Sequence, residues 1–149
     1  MAQASLSERA IRLLARRDHS RAELGRKLAP HGSPEEIESV LERMIELGLL
    51  SDDRFAHAWI RTKAQRFGRA RLRHDLAQRG VSNETISAAL DAECTEDELE
   101  RARAVWRVRF GQPAEDTREW ARQARFLQGR GFSSEIIRKL LRERGDESA

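Results

Sequence analysis

Several residue types are scarce in this chain of 149 residues, and each scarcity narrows what the protein can be. A single cysteine, Cys94, cannot form an internal disulfide, which favours a reducing, cytoplasmic setting. Three prolines and nine glycines are too few for a collagen-like or low-complexity chain. Apolar runs are four residues or shorter, and charges interrupt the first helical pattern, residues 5–17. We therefore expect a soluble protein without a signal peptide or a membrane span.

The residues that usually build a catalytic or metal site are also sparse. The chain has no phosphate-binding glycine loop and no pair of histidines at helical spacing. Cys94 lies eight residues after Ile86, at the spacing of a core position, so we interpret it as a small buried hydrophobe. We expect no enzyme activity, no cofactor and no metal, and a solvated or capping role for the four histidines, His19, His31, His57 and His74.

Charge is abundant and is sorted along the chain. The 28 basic residues, of which 25 are arginine, face 25 acids for a net charge of +3. Between Arg54 and Gly80 there are eight bases and one acid, Asp75, whereas Asp91 to Glu100 contains six acids and no base. Uncompensated like charge costs stability, so the basic segment indicates a surface that meets an acidic or polyanionic partner.

One pattern occurs three times, and it is the main structural signal. A leucine is followed by a glycine, a serine, an isoleucine and a second leucine, with the isoleucines 49 and 51 residues apart. Such a period suits three short helices per repeat, stacked to share a core. We predict an all-α, elongated, slightly curved solenoid of three tandem three-helix repeats. The predicted repeats span 5–50, 51–94 and 95–145, followed by a frayed tail at 146–149.

Helical periodicity and end signals predict nine helices. Their predicted ranges are 6–17, 21–30, 34–47, 53–67, 69–79, 83–94, 96–110, 117–129 and 134–144. Capping boxes start five of them: Ser5 with Glu8, Ser20 with Glu23, Ser33 with Glu36, Thr95 with Glu98 and Asp116 with Glu119. Glycines that adopt left-handed backbone are expected to end helices at Gly32, Gly48, Gly68, Gly80, Gly111 and Gly131.

The predicted helix 117–129 has two opposite faces. Arg118, Arg122 and Arg125 follow helical spacing on one face, and the apolar stripe with Trp120 and Leu127 lies on the other. Other apolar stripes, including Ile45, also face the core. Five aromatic residues fall on such stripes: Phe55, Trp59, Trp106, Phe110 and Trp120. We therefore expect no platform for stacking single-stranded bases, and any nucleic-acid binding should be electrostatic and salt-sensitive. If equivalent helices share one side, these arginines join Arg21 and Lys27 in an extended basic surface.

Three stretches of the sequence resemble the repeats of one known family. The stretch Leu50-Ser51-Asp52-Asp53-Arg54-Phe55-Ala56, continuing to Arg79-Gly80-Val81, resembles the second repeat of the RecX family, bacterial regulators of the RecA recombinase. Arg125-Phe126-Leu127 with Arg130-Gly131-Phe132-Ser133 resembles the third repeat, and residues 10–14 with Ser20, Leu24 and Leu28 resemble the first. The resemblance covers residues 6–141.

The resemblance implies a non-enzymatic monomer that binds the RecA–DNA filament, in its groove or at its end, and suppresses ATP hydrolysis, strand exchange and coprotease activity. Sequence-independent contact with DNA is also implied. The alternative is a freestanding helical protein that binds or shapes DNA by itself. From charge and helical geometry we select the partner- or DNA-binding candidates Arg61, Lys63, Arg66, Arg69, Arg71, Arg73, Arg118, Arg122 and Arg125.

Overall fold

A computed structural model describes the backbone of residues 2–148 and the side chains of residues 5–143. Within that range the chain forms nine α-helices, one short 3-10 helix at Ala29–His31 and no strand, as the sequence predicts. The helices are α1 Ala2–Arg16, α2 Arg21–Leu28, α3 Pro34–Glu46, α4 Asp52–Lys63, α5 Arg69–Gln78, α6 Asn83–Glu93, α7 Glu98–Arg109, α8 Thr117–Gly129 and α9 Ser134–Ser148. The side chains of the predicted frayed tail lie outside the described residues.

The chain forms two compact units, and both contain part of the second predicted repeat. The first unit is Met1–Trp59 with Leu76–Ala89, and the second is Ile60–Asp75 with Leu90–Ala149. The predicted limits of the repeats therefore stay a prediction.

Helix starts confirm part of the capping prediction. Ser20 and Ser33 form complete capping boxes with Glu23 and Glu36, and the Asp116 side chain accepts the Glu119 N–H. Two predicted caps are wrong. Ser5 lies inside α1, and α7 begins after Asp97 rather than Thr95, because the Glu98 carboxylate binds residues elsewhere in the second unit.

Four of the six glycines that were predicted to end helices in a left-handed conformation do have positive φ. Gly48, Gly80, Gly111 and Gly131 have positive φ, whereas the backbone at Gly32 is extended and Gly68 is outside the left-handed region. Gly68 instead permits a close backbone approach: its N–H donates to the Arg130 carbonyl at 2.7 Å, and an added Cβ would lie 2.4 Å from the Gly131 oxygen.

The same kind of junction occurs once in each unit, at the residue before the second helix of a predicted repeat. In the first unit, Ser20 Oγ donates to the Arg79 carbonyl at 2.7 Å, and an added Cβ at Gly80 would lie 2.4 Å from Ala22 Cβ. In the second unit the donor is the Gly68 N–H instead of a serine hydroxyl, and the acceptor is the carbonyl of Arg130, which corresponds to Arg79. Each junction therefore joins a helix start to an Arg-Gly turn.

Each unit has its own apolar core. In the first, α1, α2 and α3 bury Leu6, Ala10, Leu24, Leu28, Val40, Leu41, Met44 and Leu50. In the second, α7, α8 and α9 bury Ala102, Val105, Trp106, Leu127, Phe132, Ile137, Leu140 and Leu141. Cys94 is buried, as predicted.

Two predicted core residues are exposed. Ile45, 40% exposed, lies at the edge of the α3 stripe, about 80° from Ile37 at the helical angle of about 100° per residue. Trp120, 39% exposed, lies at the start of α8, ahead of the turns whose Gln123 and Leu127 are buried. In place of Trp120, Gln123 fills this side of the core and accepts the Trp106 indole N–H at 2.8 Å.

His19 is buried, so of the two predicted roles the solvated one is wrong for this histidine, and its ring binds a carbonyl next to the end of α1. Lys27 Nζ lies 2.9 Å from Nε2, and the Arg17 carbonyl lies 3.0 Å from Nδ1. Because the ammonium can only donate, Nε2 accepts and Nδ1–H donates to the carbonyl. Burial, aided by the nearby positive charges, lowers the pKa of His19, and the folded protein holds it neutral.

We predict that Gly131→Ala lowers the free energy of unfolding by about 2–4 kcal/mol. Gly131 has φ +93°, and an added Cβ would lie 2.2 Å from Arg71 Cβ. Gly129→Ala is the matched control, because it sits at the end of α8 with nothing within 4 Å of its added Cβ. Urea unfolding should show the control to be neutral or slightly stabilising; equal effects of the two changes would contradict the tight junction.

His19 should make the fold sensitive to mild acid. Its pKa is lowered from 6.5, so His19 binds a proton more readily in the unfolded chain than in the folded one. The free energy of unfolding therefore falls as the pH drops through about 6.5. His19→Gln keeps a donor and an acceptor but cannot titrate, and should flatten the unfolding free energy between about pH 7.5 and 5.5. His31→Gln, at an exposed histidine, should retain the wild-type slope.

Candidate partner-binding surface

Acidic residues close by in space compensate much of the basic segment Arg54–Gly80. Arg61 makes two hydrogen bonds to Glu93, at 3.2 and 3.0 Å, and these raise the pKa of the guanidinium. Arg69 binds Asp91 at 2.8 Å. Both acids belong to the acidic segment Asp91–Glu100, so the two opposite charge blocks of the sequence partly neutralise each other in the folded second unit.

The other candidate residues of the basic segment differ in how many contacts they already make within the fold. Arg71 pairs with Asp75 at 3.2 Å, stacks on Phe67 at 4.7 Å from the ring centroid and donates to the Gly129 carbonyl. Lys63 and Arg73 are half-buried and have interactions of their own. Arg66 is exposed and lies over Phe67 at 5.6 Å without a carboxylate partner among the described residues. The expectation of one uncompensated basic patch is therefore wrong for most of this segment.

Arg101 is a buried basic residue that the sequence analysis missed. Only 7% exposed, it donates to the Ala64 carbonyl at 2.8 Å and to the Phe67 carbonyl, and it pairs with Glu98. The other oxygen of Glu98 accepts the Arg69 N–H at 3.0 Å. Arg101 thus satisfies carbonyls where α4 ends. One feature of the sequence could have predicted this burial: Arg101 lies beside Ala102 and four residues before Val105, on the apolar side of α7.

The candidates on α8 lie together on one exposed face, as the helical spacing predicts. This α8 basic face consists of Arg118, Arg122 and Arg125. Arg118 and Arg125 have no ion pair or hydrogen bond to any residue whose side chain the structure describes, and Arg122 pairs only with Glu119, at 2.9 Å. With Arg109, the three line an open polar depression of about 630 Å³ beside the loop before α8.

Arg21 and Lys27, which were predicted to extend the basic surface, both have polar partners within the fold. Both belong to the first unit. Arg21 pairs with Glu38 and with Glu42, the latter at 2.9 Å, and Lys27 contacts His19. Although burial opposes its charge, the hydrogen bonds to both glutamates raise the pKa of Arg21. The expected continuous surface is therefore wrong at Arg21, because acids of α3 neutralise it.

The described residues show little of the chemistry of catalysis. Among them no group of three metal-ligating side chains lies close enough to hold an ion. Burial raises the pKa of the Cys94 thiol, which makes a reactive thiolate unfavourable. None of the helices among the described residues could span a lipid bilayer.

These features define an all-helical protein of tandem three-helix repeats, whose candidate site is a charged surface. Family profiles agree with this class. Profiles described as the first, second and third three-helix domains of RecX match residues 8–44, 51–90 and 96–141. The chain belongs to the RecX family.

Individual relatives cover nearly the whole chain. A Regulatory protein RecX of Leptothrix cholodnii is 53% identical over 94% of this chain and 89% of its own length. Another, from Chromobacterium violaceum, is 42% identical over 96% of this chain and 93% of its own. The crystal structure of RecX from Lactobacillus salivarius superimposes with a TM-score of 0.80 at 19% identity, covering 95% of this chain and 96% of that one, which supports the fold.

Arg101→Ala should lower the free energy of unfolding by about 3 kcal/mol, since it leaves the carbonyls of Ala64 and Phe67 without their donor and removes the ion-pair partner of the partly buried Glu98. The matched control is Arg107→Ala on the same helix, at an exposed residue with no partner among those described. Its effect in urea unfolding should stay within about 0.5 kcal/mol. If both variants lose the same stability, Arg101 does not anchor α7 to the end of α4.

Proposed function

We propose that this protein is a non-enzymatic negative modulator of RecA that acts in the cytoplasm as a monomer. It binds the RecA–DNA filament and lowers ATP hydrolysis, strand exchange and coprotease activity. Membership of the RecX family supports a regulatory role, because the relatives are named regulatory proteins. The RecA partner and the inhibitory activities follow from the family resemblance.

The observation that carries the proposed contact is that two of the three guanidiniums of the α8 basic face, those of Arg118 and Arg125, have no carboxylate partner among the described residues. An arginine that is already paired must give up its carboxylate before it can bind a partner, whereas Arg118 and Arg125 have none to give up. A nucleoprotein filament offers phosphates and carboxylates, both of which guanidinium groups bind with two parallel hydrogen bonds. The α8 basic face therefore ranks ahead of Arg61, Arg69 and Arg71 as the contact.

Charge reversal on α8 tests this assignment. The triple variant Arg118→Glu, Arg122→Glu, Arg125→Glu should require on the order of tenfold more protein to halve RecA ATP hydrolysis on single-stranded DNA, because attraction becomes repulsion. The loss should shrink as salt is raised, since screening weakens such contacts. Circular dichroism should show an unchanged helix content, because all three side chains are exposed.

A second triple variant controls for net charge. Arg12→Glu, Arg16→Glu, Arg26→Glu makes the same charge change at exposed arginines of α1 and α2 that have no partner among the described residues. It should inhibit RecA nearly as well as the wild type. If the two triple variants inhibit equally, the α8 basic face is not the contact. Inhibition by neither the wild type nor any variant would refute the proposed function itself.

The alternative of a freestanding DNA-binding protein has its own measurement. Such a protein would bind bare duplex DNA at a preferred site at about 150 mM salt. Electrostatic contact within a filament gives sequence-blind binding that falls steeply with salt. A site preference without RecA would favour the alternative.

A further inference from the structure

The second unit contains an open groove of about 800 Å³ that the α8 basic face does not explain. We call it the α7 groove. One side is formed by α7, and the others by the end of α4, the loop before α7 and the end of α8. The lining residues used below are Arg66, Ala104, Val105, Val108, Arg109, Phe126 and Arg130, with Glu93 and Glu96 on the rim.

The α7 side of this groove is apolar and open to solvent. Val108 is 91% exposed, the most exposed large hydrophobic residue of the described chain, and Ala104, one helical turn earlier, is exposed as well. Val105 continues the apolar surface toward the core. A single exposed apolar residue needs no explanation, but this one lies on the wall of a groove with other apolar residues around it.

Three arginines in the groove lie over aromatic rings instead of binding carboxylates. Arg130 lies 5.2 Å from the Phe67 ring centroid and 5.0 Å from that of Phe126, and Arg109 lies 5.3 Å from Phe126. Arg66 lies over Phe67. None of the three has an acidic partner among the described residues, although Arg61, Arg69 and Arg71 nearby are all paired. Arg130 also donates to the Arg66 carbonyl at 3.5 Å, which leaves its other N–H groups free to bind a carboxylate. Stacking restricts each guanidinium and does not occupy its N–H groups.

We propose that the α7 groove binds a segment of a partner protein in which an apolar side chain is flanked by aspartate or glutamate. The apolar side chain packs on Ala104 and Val108, and the acidic side chains bind the guanidiniums of Arg66, Arg109 and Arg130. Neither part alone uses the whole surface: a purely acidic ligand leaves the apolar wall exposed, and a purely apolar ligand leaves three arginines without carboxylates.

The apolar wall of the groove favours this ligand over a nucleic acid. A phosphate backbone gains little from the exposed Val108 side chain, whereas an apolar side chain of a peptide can cover it. Carboxylates do not separate the two sites. Glu96 is exposed on the rim of the α7 groove, and Glu115, Asp116 and Glu119 line the depression beside the α8 basic face.

Defined peptides test the proposal with the full chain. The probe is a fluorescein-labelled peptide of twelve residues in which leucines alternate with aspartates and glutamates. The comparison ligands are an all-glutamate peptide, a leucine–lysine peptide of the same length and a single-stranded oligothymidylate. We expect the acidic leucine peptide to bind at least about tenfold more tightly than either comparison peptide, by fluorescence anisotropy. It should shift the NMR amide signals of Ala104 and Val108, whereas the oligonucleotide should shift those of Arg118 and Arg125.

Two variants locate the binding, and one controls for charge. Val108→Glu places a carboxylate on the apolar wall, and Arg109→Glu removes one guanidinium; each should weaken peptide binding about tenfold or more. Arg107→Glu makes the same charge change two residues away on α7, outside the groove, and should bind within about twofold of the wild type. Equal binding of the two acidic peptides, equal loss in Arg107→Glu and Arg109→Glu, or NMR shifts confined to α8 would each overturn the proposal. None of these results depends on whether RecA is the partner.

Discussion

The structure depends on a backbone contact in which the start of one helix meets an Arg-Gly turn from the following predicted repeat. The Gly68 N–H donates to the Arg130 carbonyl in the second unit, and Ser20 Oγ donates to the Arg79 carbonyl in the first. Such contact requires glycine, because a Cβ would meet backbone or side-chain atoms within normal contact distance. In the second unit it fixes the turn between α4 and α5, and with it Arg66, Phe67 and the carbonyls that Arg101 binds.

Some arginines form ion pairs or hydrogen bonds within the fold, and others have no carboxylate partner among the described residues. We assign the first group to stability and the second to partner binding. Arg61 and Arg69 form ion pairs with Glu93 and Asp91. Arg101 donates hydrogen bonds to backbone carbonyls and forms an ion pair with Glu98. The arginines that remain form two groups of different character. The α8 basic face is polar and without aromatic backing at Arg118 and Arg125, whereas the α7 groove combines stacked guanidiniums with an apolar wall. This difference in chemistry is the reason why we propose a different ligand for each surface.

Local signals predicted most of the fold, and tertiary interactions explain what they missed. Helix number, the caps at Ser20 and Ser33 and the left-handed turn at Gly131 follow from residues close in sequence. The cap at Thr95 failed because Glu98 is bound by Arg69 and Arg101, and the basic segment appeared bare because Glu93 lies 32 positions from Arg61. Of the candidate site, the α8 face was predictable from helical spacing alone, while the α7 groove needs residues from three helices and a loop.

The way in which α4 ends has a consequence for modularity. In the turn that follows α4, the carbonyls of Ala64 and Phe67 accept hydrogen bonds from a side chain of α7, and the Gly68 N–H donates to the turn after α8. A chain shortened before Glu98 would leave all three backbone groups without these partners. The second predicted repeat therefore depends on residues of the third to satisfy its own backbone, so the repeats are not independent modules.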